Sequence, residues 1–231
     1  MVAPLVLVWS CLVTSAVDAP TGGAAVTPRA STAVRRSPPL VAVRRAKPGI
    51  ATVDTSRSVV RWRGTKFGGR SAHAGIVRVR HGWLQYDASR AQLLGGAIEL
   101  DMRTIAVTDM PVAEADARQK LTRHLLAAEF FDVTRFPVAR FDIDRVRAHG
   151  GNLVRLDGRL TLRGVTRPFA FEATVWSFEP TLLRATARAT LDRMHWGVAF
   201  RGSRITNDLV DDEISLEFDV TARVDQGRGD R

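Results

Sequence analysis

The side chains best suited to acid-base or metal chemistry are five histidines, which are scattered along the chain. They are His73, His81, His124, His149 and His195. No two have the close spacing of a typical metal-binding pair, and His73 and His81 would meet only if a hairpin joined them. The chain also lacks a nucleophile elbow, a dinucleotide-binding loop, a phosphate-binding loop and a zinc-protease helix. We therefore predict no catalytic residues, no metal site and no cofactor, and expect that the protein is not an enzyme.

Acidic residues are paired at Asp211-Asp212 and at Asp142-x-Asp144. A glycosidase needs two carboxylates that face one cleft, and nothing in the sequence indicates that arrangement. Both pairs are instead typical of solvated loops or strand faces.

Composition narrows the class of protein further. The 231 residues are 45% hydrophobic and 25% charged, which is typical of a soluble globular domain. No run of about 20 apolar residues is present, so we expect no transmembrane span. The formal net charge is +10, but the arginines alternate with acidic residues along the chain, so we expect no nucleic-acid partner. The single cysteine, Cys11, excludes a disulfide framework.

The N-terminal segment differs in composition from the rest of the chain. Residues 2–17 form an apolar run of signal-peptide length, so we predict a signal peptide over residues 1–19 and an exported protein of the periplasm or cell envelope. No Lys or Arg precedes Arg29, which departs from the usual signal-peptide pattern. Cys11 could be acylated as in a lipoprotein, although bulky Trp9 stands where such sites carry a small residue.

The remaining chain divides into three parts. A disordered linker rich in Pro, Ala and Arg is predicted over residues 20–48, a folded domain over 49–226 and a flexible tail over 227–231. Within the domain, apolar and polar residues alternate in short stretches, which is typical of strands with one buried face. The predicted strands are Ser58–Gly64, Ala74–Arg80, Gly82–Tyr86, Ala97–Ile105, Val138–Val146, Leu153–Leu162, Pro168–Phe178, Leu182–Leu191 and Glu213–Val224.

Other residues predict the connections between these strands. Gly82 predicts a tight turn, His149–Asn152 predicts a hairpin, and Arg163–Arg167 separates two further strands. The stretch Val112–Ala128 has leucines at helical spacing among charged residues, so we predict a helix there. Eight or more short strands with one helix favour either a closed barrel or a sandwich.

Three blocks of residues carry a resemblance to a known family. They are Leu121-x-x-His124-Leu125 with Glu129-Phe130-Phe131-Asp132-Val133 and Phe136-Pro137-x-x-x-Phe141, then Gly158–Pro168, then Leu191–Val198. In order and spacing they resemble the YceI-like family, bacterial lipocalin-like proteins that bind lipids such as polyisoprenoids. The resemblance runs from about Thr52 to Val224, and the opening block Ser58–Gly64 departs from the family pattern.

The resemblance implies an all-β fold, an extended eight-stranded antiparallel lipocalin-like barrel with a short helical insertion. It also implies an isoprenoid or other long-chain lipid inside the barrel and, by analogy, a homodimer. We expect apolar side chains of the strands and helix to line that barrel: Val60, Trp62, Ile98, Leu100, Phe130, Phe131, Phe141, Phe171, Trp176, Trp196 and Phe218. A polar rim is expected at His124, Asp192 and Arg193. The last two could form an ion pair at a strand end or meet a polar head group.

Two other functions stay open on the sequence alone. A structural or stress-related envelope module would have a barrel filled by side chains and would bind a protein partner through an exposed apolar patch. A lipid hydrolase or isomerase would place a polar residue with a strongly perturbed pKa inside the pocket.

Overall fold

The structure is a computed structural model that describes residues 48–87, 89–179, 182–199 and 210–224. The predicted signal peptide, Cys11, the linker up to residue 47 and the C-terminal tail lie outside these residues. Within the described ranges, no helix is long and apolar enough to cross a membrane.

The described chain is built mainly from antiparallel strands, as the alternating sequence pattern predicts. They are β1 (Gly49–Val53), β2 (Val59–Lys66), β3 (Ser71–Asp87), β4 (Gln92–Val107), β5 (Val138–Ala148), β6 (Leu153–Leu162), β7 (Val165–Glu179), β8 (Leu182–Asp192) and β9 (Val210–Val224). One α-helix, α1 (Ala115–Leu126), follows a short 3-10 turn at Val112–Glu114, and a second 3-10 turn spans Arg193–Trp196.

The strands close into a barrel of eight positions. Each strand from β4 to β9 pairs with its neighbour in sequence, β2 joins β9 to β3, and β3 pairs with β4 to complete the ring. Strands β1 and β2 share one position between β3 and β9: β1 pairs with Trp83–Tyr86 of β3, and β2 pairs with Ser71–Arg78. The predicted eight-stranded antiparallel barrel is therefore confirmed, and the alternative of a sandwich is wrong.

The turn predicted at Gly82 is wrong, because β3 runs without interruption from Ser71 to Asp87. The pairing of β3 with β4 shifts between Val79 and His81, which bends the strand near the glycine. A Cβ atom at Gly82 would lie 2.7 Å from Cγ2 of Val53. The small residue is thus required by the close approach of β1 and not by a turn.

The hairpin predicted at His149–Asn152 is confirmed, whereas the predicted connection Arg163–Arg167 is too long, because β7 begins at Val165. The β5–β6 hairpin turns through residues 149–152, and its closing bond runs from the His149 amide to the Leu153 carbonyl. β6 and β7 are joined by only Arg163 and Gly164, with φ angles of 52° and 75°, as a tight two-residue hairpin turn requires. The predicted helix is also present.

Apolar side chains form two buried clusters inside the barrel. One lies toward the end that β1 closes and includes Ala51, Leu84 and Leu183. The other lies toward the end that α1 covers, where Leu125 of the helix packs with residues such as Phe131. The space between and beside these clusters is where the candidate site lies.

Candidate functional site

The barrel encloses a cavity of about 490 Å³. This volume falls within the range of about 300 to 1,000 Å³ that is typical of small-molecule sites. The wall is formed almost entirely by apolar side chains from β2 to β9 and α1. A cavity of this size means that side chains do not fill the interior of the barrel.

The alternation of the strands explains which side chains reach the cavity. On β7, Phe169, Phe171 and Ala173 line the cavity, whereas Glu172 and Thr174 alternate with them and are absent from its wall. The same two-residue period applies to Phe141 and Ile143 of β5 and to the apolar residues of β9. The apolar side chains of these strands therefore reach the cavity at every second position.

Small side chains on β8 account for the open space. Ala185 and Ala187 line the cavity where neighbouring strands place much larger groups. Ala187 pairs directly with Ala173 of β7 and with Phe218 of β9. Because two neighbouring strands carry alanine at this level, the opposite wall has no partner to interdigitate with, and a void results.

Aromatic rings from β5, β7 and β9 form one part of the cavity wall. The rings of Phe171 and Phe218 stack with centroids 5.0 Å apart and an interplanar angle of 4°. Phe141 and Phe169 contact Phe171 with centroid distances of 5.2 and 5.4 Å. These contacts fix the rings against one another, so this wall of the cavity is preformed.

Trp62 forms another part of the wall and depends on a glycine across the strand pair. A Cβ atom at its partner Gly75 would lie 2.6 Å from Cζ2 of the Trp62 ring and 1.9 Å from the backbone oxygen of Ala106. The indole therefore lies flat on β3. Its Nε1 atom is buried and has no hydrogen-bond partner among the described residues.

Most of the predicted lining residues reach the cavity. Nine of the eleven do so: Val60, Trp62, Ile98, Leu100, Phe130, Phe131, Phe141, Phe171 and Phe218. Trp196 and Trp176 are not part of the lining, and their prediction as lining residues is wrong for two different reasons.

The two tryptophans occupy other environments. Trp196 is 3% exposed, its Nε1 donates to the Leu160 carbonyl at 2.9 Å, and its ring meets Phe169 edge-on. It is a core residue beneath the lining. Trp176 lies one residue out of phase with Phe171 and Ala173 of β7, so strand alternation places it on the outer face.

Most of the polar residues at the cavity lie at one of its ends, and we call this group the polar rim; Arg140 and Thr186 also border the cavity, but the Arg140 guanidinium binds Glu99 and Asp142. The polar rim consists of Thr65, Lys66, His73, His124, Arg193 and Asp211. His124 of α1 was predicted there, and its Nδ1 lies 2.9 Å from Oε1 of Glu129. His73 Nδ1 lies 3.5 Å from Oδ2 of Asp109. Of the residues predicted at the rim, His124 and Arg193 line the cavity.

Arg193 is part of the polar rim, but its guanidinium donates hydrogen bonds to backbone carbonyls. The side chain is fully buried and donates to the carbonyls of Val198, Val210 and Asp211 at 2.8 to 3.1 Å. Burial lowers the pKa of this guanidinium from its usual range, while the charge of Asp212 opposes that shift. Arg193 therefore ties the 3-10 turn to the start of β9.

Asp192, the third residue predicted at the rim, does not line the cavity. Its carboxylate accepts a hydrogen bond of 2.9 Å from the Met194 amide and caps the 3-10 turn. Its prediction as a rim residue is therefore wrong, because a short acidic side chain before such a turn bonds to the nearest free amide.

Thr65, Lys66, His73 and Asp211 were not predicted from the sequence as residues of the polar rim. Lys66 has the same parity on β2 as Val60 and Trp62, so extending the alternation by two steps would have placed it at the cavity. Asp211 accepts from the hydroxyl of Thr65 at 2.5 Å and from two backbone amides, which hold the pKa of its carboxyl below the usual value. Across the described ranges, no three His, Cys, Asp or Glu side chains are grouped as metal ligands.

Comparisons with known proteins agree with this architecture. A family model described as YceI-like domain matches residues 52–222. A UPF0312 protein of Pseudomonas putida strain W619 is 33% identical over 102 residues, which cover 41% of this chain and 51% of the relative. A UPF0312 protein of Pseudomonas putida strain F1 is 28% identical over 165 residues, which cover 68% and 79%.

Two solved structures share the fold. The crystal structure of BcnA from Burkholderia cenocepacia has a TM-score of 0.57 at 18% identity, covering 73% of this chain and 98% of that one. A polyisoprenoid binding domain from Saccharophagus degradans, implicated in plant cell wall breakdown, has a TM-score of 0.57 at 10% identity, covering 77% and 99%. Since the family model spans nearly the whole barrel, this chain belongs to the YceI-like domain family.

Proposed function

We propose that this protein is an exported binding protein that holds a long-chain apolar amphiphile, such as an isoprenoid, a quinone or a fatty chain, inside its barrel. The observation that carries the proposal is the cavity of about 490 Å³ with its apolar wall. Support for the ligand class comes from the family and from a solved neighbour described as a polyisoprenoid binding domain.

The size and chemistry of the cavity suit an alkyl or isoprenoid tail. Taking for each methylene group the roughly 30 Å³ that one water molecule occupies in the liquid, a volume of about 490 Å³ has room for roughly sixteen such groups. Each buried methylene contributes about 0.8 kcal/mol. Ten of them contribute about 8 kcal/mol before the cost of association is subtracted, so tight binding requires that the tail fill most of the cavity.

The polar rim determines which end of the bound amphiphile lies at which end of the barrel. Lys66, His73 and His124 stand at one end of an otherwise apolar wall, so a polar head group is best accommodated there and the tail points toward the end closed by β1. Arg193 contributes less to a head group, because its guanidinium already donates to three backbone carbonyls.

Binding without catalysis is the simplest role for this site, because most of its polar groups lie at the rim and the wall beside a bound tail is almost entirely apolar. The alternative function, a structural module that binds a protein partner, was expected to have a barrel filled by side chains. The cavity beside Ala185 and Ala187 argues against that alternative.

Export is part of the proposal and is supported by the apolar run over residues 2–17. We expect a protein isolated from the periplasmic fraction to begin directly after Ala16 or Ala19. N-terminal sequencing of that fraction is the measurement, and an uncleaved chain confined to the cytosol would contradict export.

Native mass spectrometry of the full chain, purified without detergent, tests the proposed ligand. We expect a discrete added mass that organic extraction releases as a lipid. Ala187→Trp places an indole in the cavity and should abolish the added mass, whereas Ala170→Trp on the exposed face of β7 should keep it. A bare wild-type protein that stays bare when offered a lipid extract would refute lipid binding.

A further inference from the structure

The hairpin that joins β2 to β3 combines an exposed aromatic ring with positive charge. Its residues are Lys66-Phe67-Gly68-Gly69-Arg70. Lys66 belongs to the polar rim, so the hairpin stands at the end of the barrel where the polar rim lies. Phe67 follows directly and is 50% exposed. A single exposed apolar residue is common on protein surfaces, but here it stands between two cations beside a cavity.

The hairpin is held in a defined conformation. The amides of Gly68 and Gly69 each donate to the carboxylate of Asp211 at 2.9 Å, and the Thr65 hydroxyl donates to the same group at 2.5 Å. The backbone of Phe67 has a φ angle of 55°, a conformation that is uncommon for residues other than glycine. Strain of this kind persists only where the surroundings impose it, so the contacts to Asp211 fix how the ring is presented.

The outer faces of β2 and β3 extend the positive charge from the hairpin. Arg61, Arg63, Arg78 and Arg80 are exposed there and form no ion pair with an acid in the part of the chain that the structure describes. The sequence suggested that arginines and acids alternate and compensate each other along the chain. On these two strands the compensation is weaker: Arg61 stands opposite Glu217 and Arg78 opposite Asp101 in the sheet, but among the described residues none of the four arginines forms a close ion pair.

Other strands show the contrast clearly. Arg140 of β5 pairs with Glu99 and Asp142 at 2.7 Å, and Arg184 of β8 pairs with Asp219 at 2.9 Å. These two arginines are thus neutralised by acids of the same or a neighbouring strand. In contrast, β2, β3 and their hairpin carry six basic residues, and their one acid, Asp87, lies at the far end of β3. The basic residues are Arg61, Arg63, Lys66, Arg70, Arg78 and Arg80.

A second exposed apolar residue at this end has a different setting. Val112, at the start of the helical insertion, is 83% exposed. The insertion reaches the same end of the barrel, since the Thr108 amide donates to the Ala74 carbonyl at 2.9 Å. Acidic Asp109 and Glu114 flank Val112 in sequence. Apolar exposure and positive charge therefore coincide at Phe67 and not at Val112.

We propose that the β2–β3 hairpin docks the barrel onto the surface of an anionic phospholipid membrane. Phe67 inserts into the interface, while Lys66, Arg70 and the arginines of β2 and β3 contact the head groups. An apolar side chain surrounded by basic residues is the combination used by proteins that lie on anionic bilayers. The proposal rests on the proposed function, because docking would turn the polar rim toward the source of the lipid that the barrel binds.

Vesicle flotation with the full chain tests the docking. We expect binding to vesicles of equal parts phosphatidylglycerol and phosphatidylcholine, and much weaker binding to phosphatidylcholine alone. Phe67→Ser should weaken binding about tenfold, because about half of the ring is available to bury. Arg70→Gln should weaken it about fivefold. Val112→Ser is the matched control, and its binding should change less than twofold, since Val112 is flanked by acids.

A fluorescent label reports which end of the barrel meets the membrane. In a Cys11→Ser background, Phe67→Cys provides one attachment point for an environment-sensitive dye, and Ile50→Cys provides another. Ile50 is similarly exposed, at 44%, but lies on β1 at the opposite end of the barrel. We expect a blue shift on adding anionic vesicles only for the dye at position 67. An equal shift at both positions, or none at position 67 while the protein floats, would overturn the proposal.

The outcomes separate docking from lipid binding. Phe67 does not line the cavity, so Phe67→Ser should carry the same extracted lipid as the wild type in native mass spectrometry. A wild-type barrel that holds no lipid but still docks through Phe67 would refute the proposed function alone. Binding to anionic vesicles that Phe67→Ser leaves intact and that duplex DNA competes away would instead indicate a general polyanion surface and refute the docking.

Discussion

A chain-length series offers the most direct test of the cavity as a lipid site. Affinity of saturated fatty acids should increase about fourfold for each added methylene, since each contributes about 0.8 kcal/mol when buried. The increase should stop near a chain of about sixteen carbons, where a volume of about 490 Å³ is filled. Displacement of a fluorescent fatty acid measures these affinities under one set of conditions.

Ala187→Leu reduces the cavity volume that is available to the lipid tail. The substitution adds three carbon atoms at a position that lines the cavity and faces Ala173. The length at which affinity stops increasing should therefore fall by about three carbons, to roughly thirteen, while affinities for shorter chains stay nearly unchanged.

Ala170→Leu provides the matched control, because it adds the same atoms to an exposed position on β7. Its chain-length profile should match the wild type. A plateau that does not move in Ala187→Leu, or that moves equally in both variants, would refute the assignment of this cavity as the site that holds the tail.

Three further predictions concern stability. Gly75→Ala should lower the free energy of unfolding, measured by urea denaturation, by about 3 kcal/mol, because the added Cβ lies 1.9 Å from a backbone oxygen of β4. Gly64→Ala is the control: its added Cβ meets nothing within 4 Å, so the free energy of unfolding should change by less than about 0.5 kcal/mol. Arg193→Met should cost about 3 kcal/mol by the same measurement, because buried carbonyls lose their donors, and a cost below about 1 kcal/mol would contradict that role. The hydrogen bond from Arg184 holds the pKa of Asp219 below its unfolded value, so this pair stabilises the fold above about pH 3.9 and the contribution is lost as pH falls through the folded pKa. Arg184→Gln should therefore lose less stability than the wild type on acidification, and identical acid profiles would argue against the pair.

The sequence predicted the strands well because a half-buried strand has a simple two-residue period. The alternation in β4, β7 and β9 marked both the elements and their inward faces, which is why Phe171 and Phe218 were placed correctly at the cavity. The same reasoning failed at Gly82, where a glycine inside a continuous strand resembles a turn. The close approach of Val53 that requires this glycine comes from another part of the chain.

The hollow interior could not be predicted from the strands alone. It depends on Ala185 and Ala187 of β8 facing Ala173 of β7, and that pairing is set by register across the sheet. The environment of Trp196 likewise depends on Leu160, whose carbonyl it reaches from a separate turn. The homodimer and export stay predictions.

The shared position of β1 and β2 has a consequence for how the barrel assembles. Both strands lie near the start of the described chain, and both pair with β9 at its end: Ala51 with Val224, and Val60 with Phe218. Pairings between such distant residues are slow to form, because the entropy of closing a long loop opposes them. We therefore expect the contacts that complete the cavity to form late in folding. A lipid held inside would bind the closed ring alone and would stabilise the native state in proportion to the logarithm of its concentration.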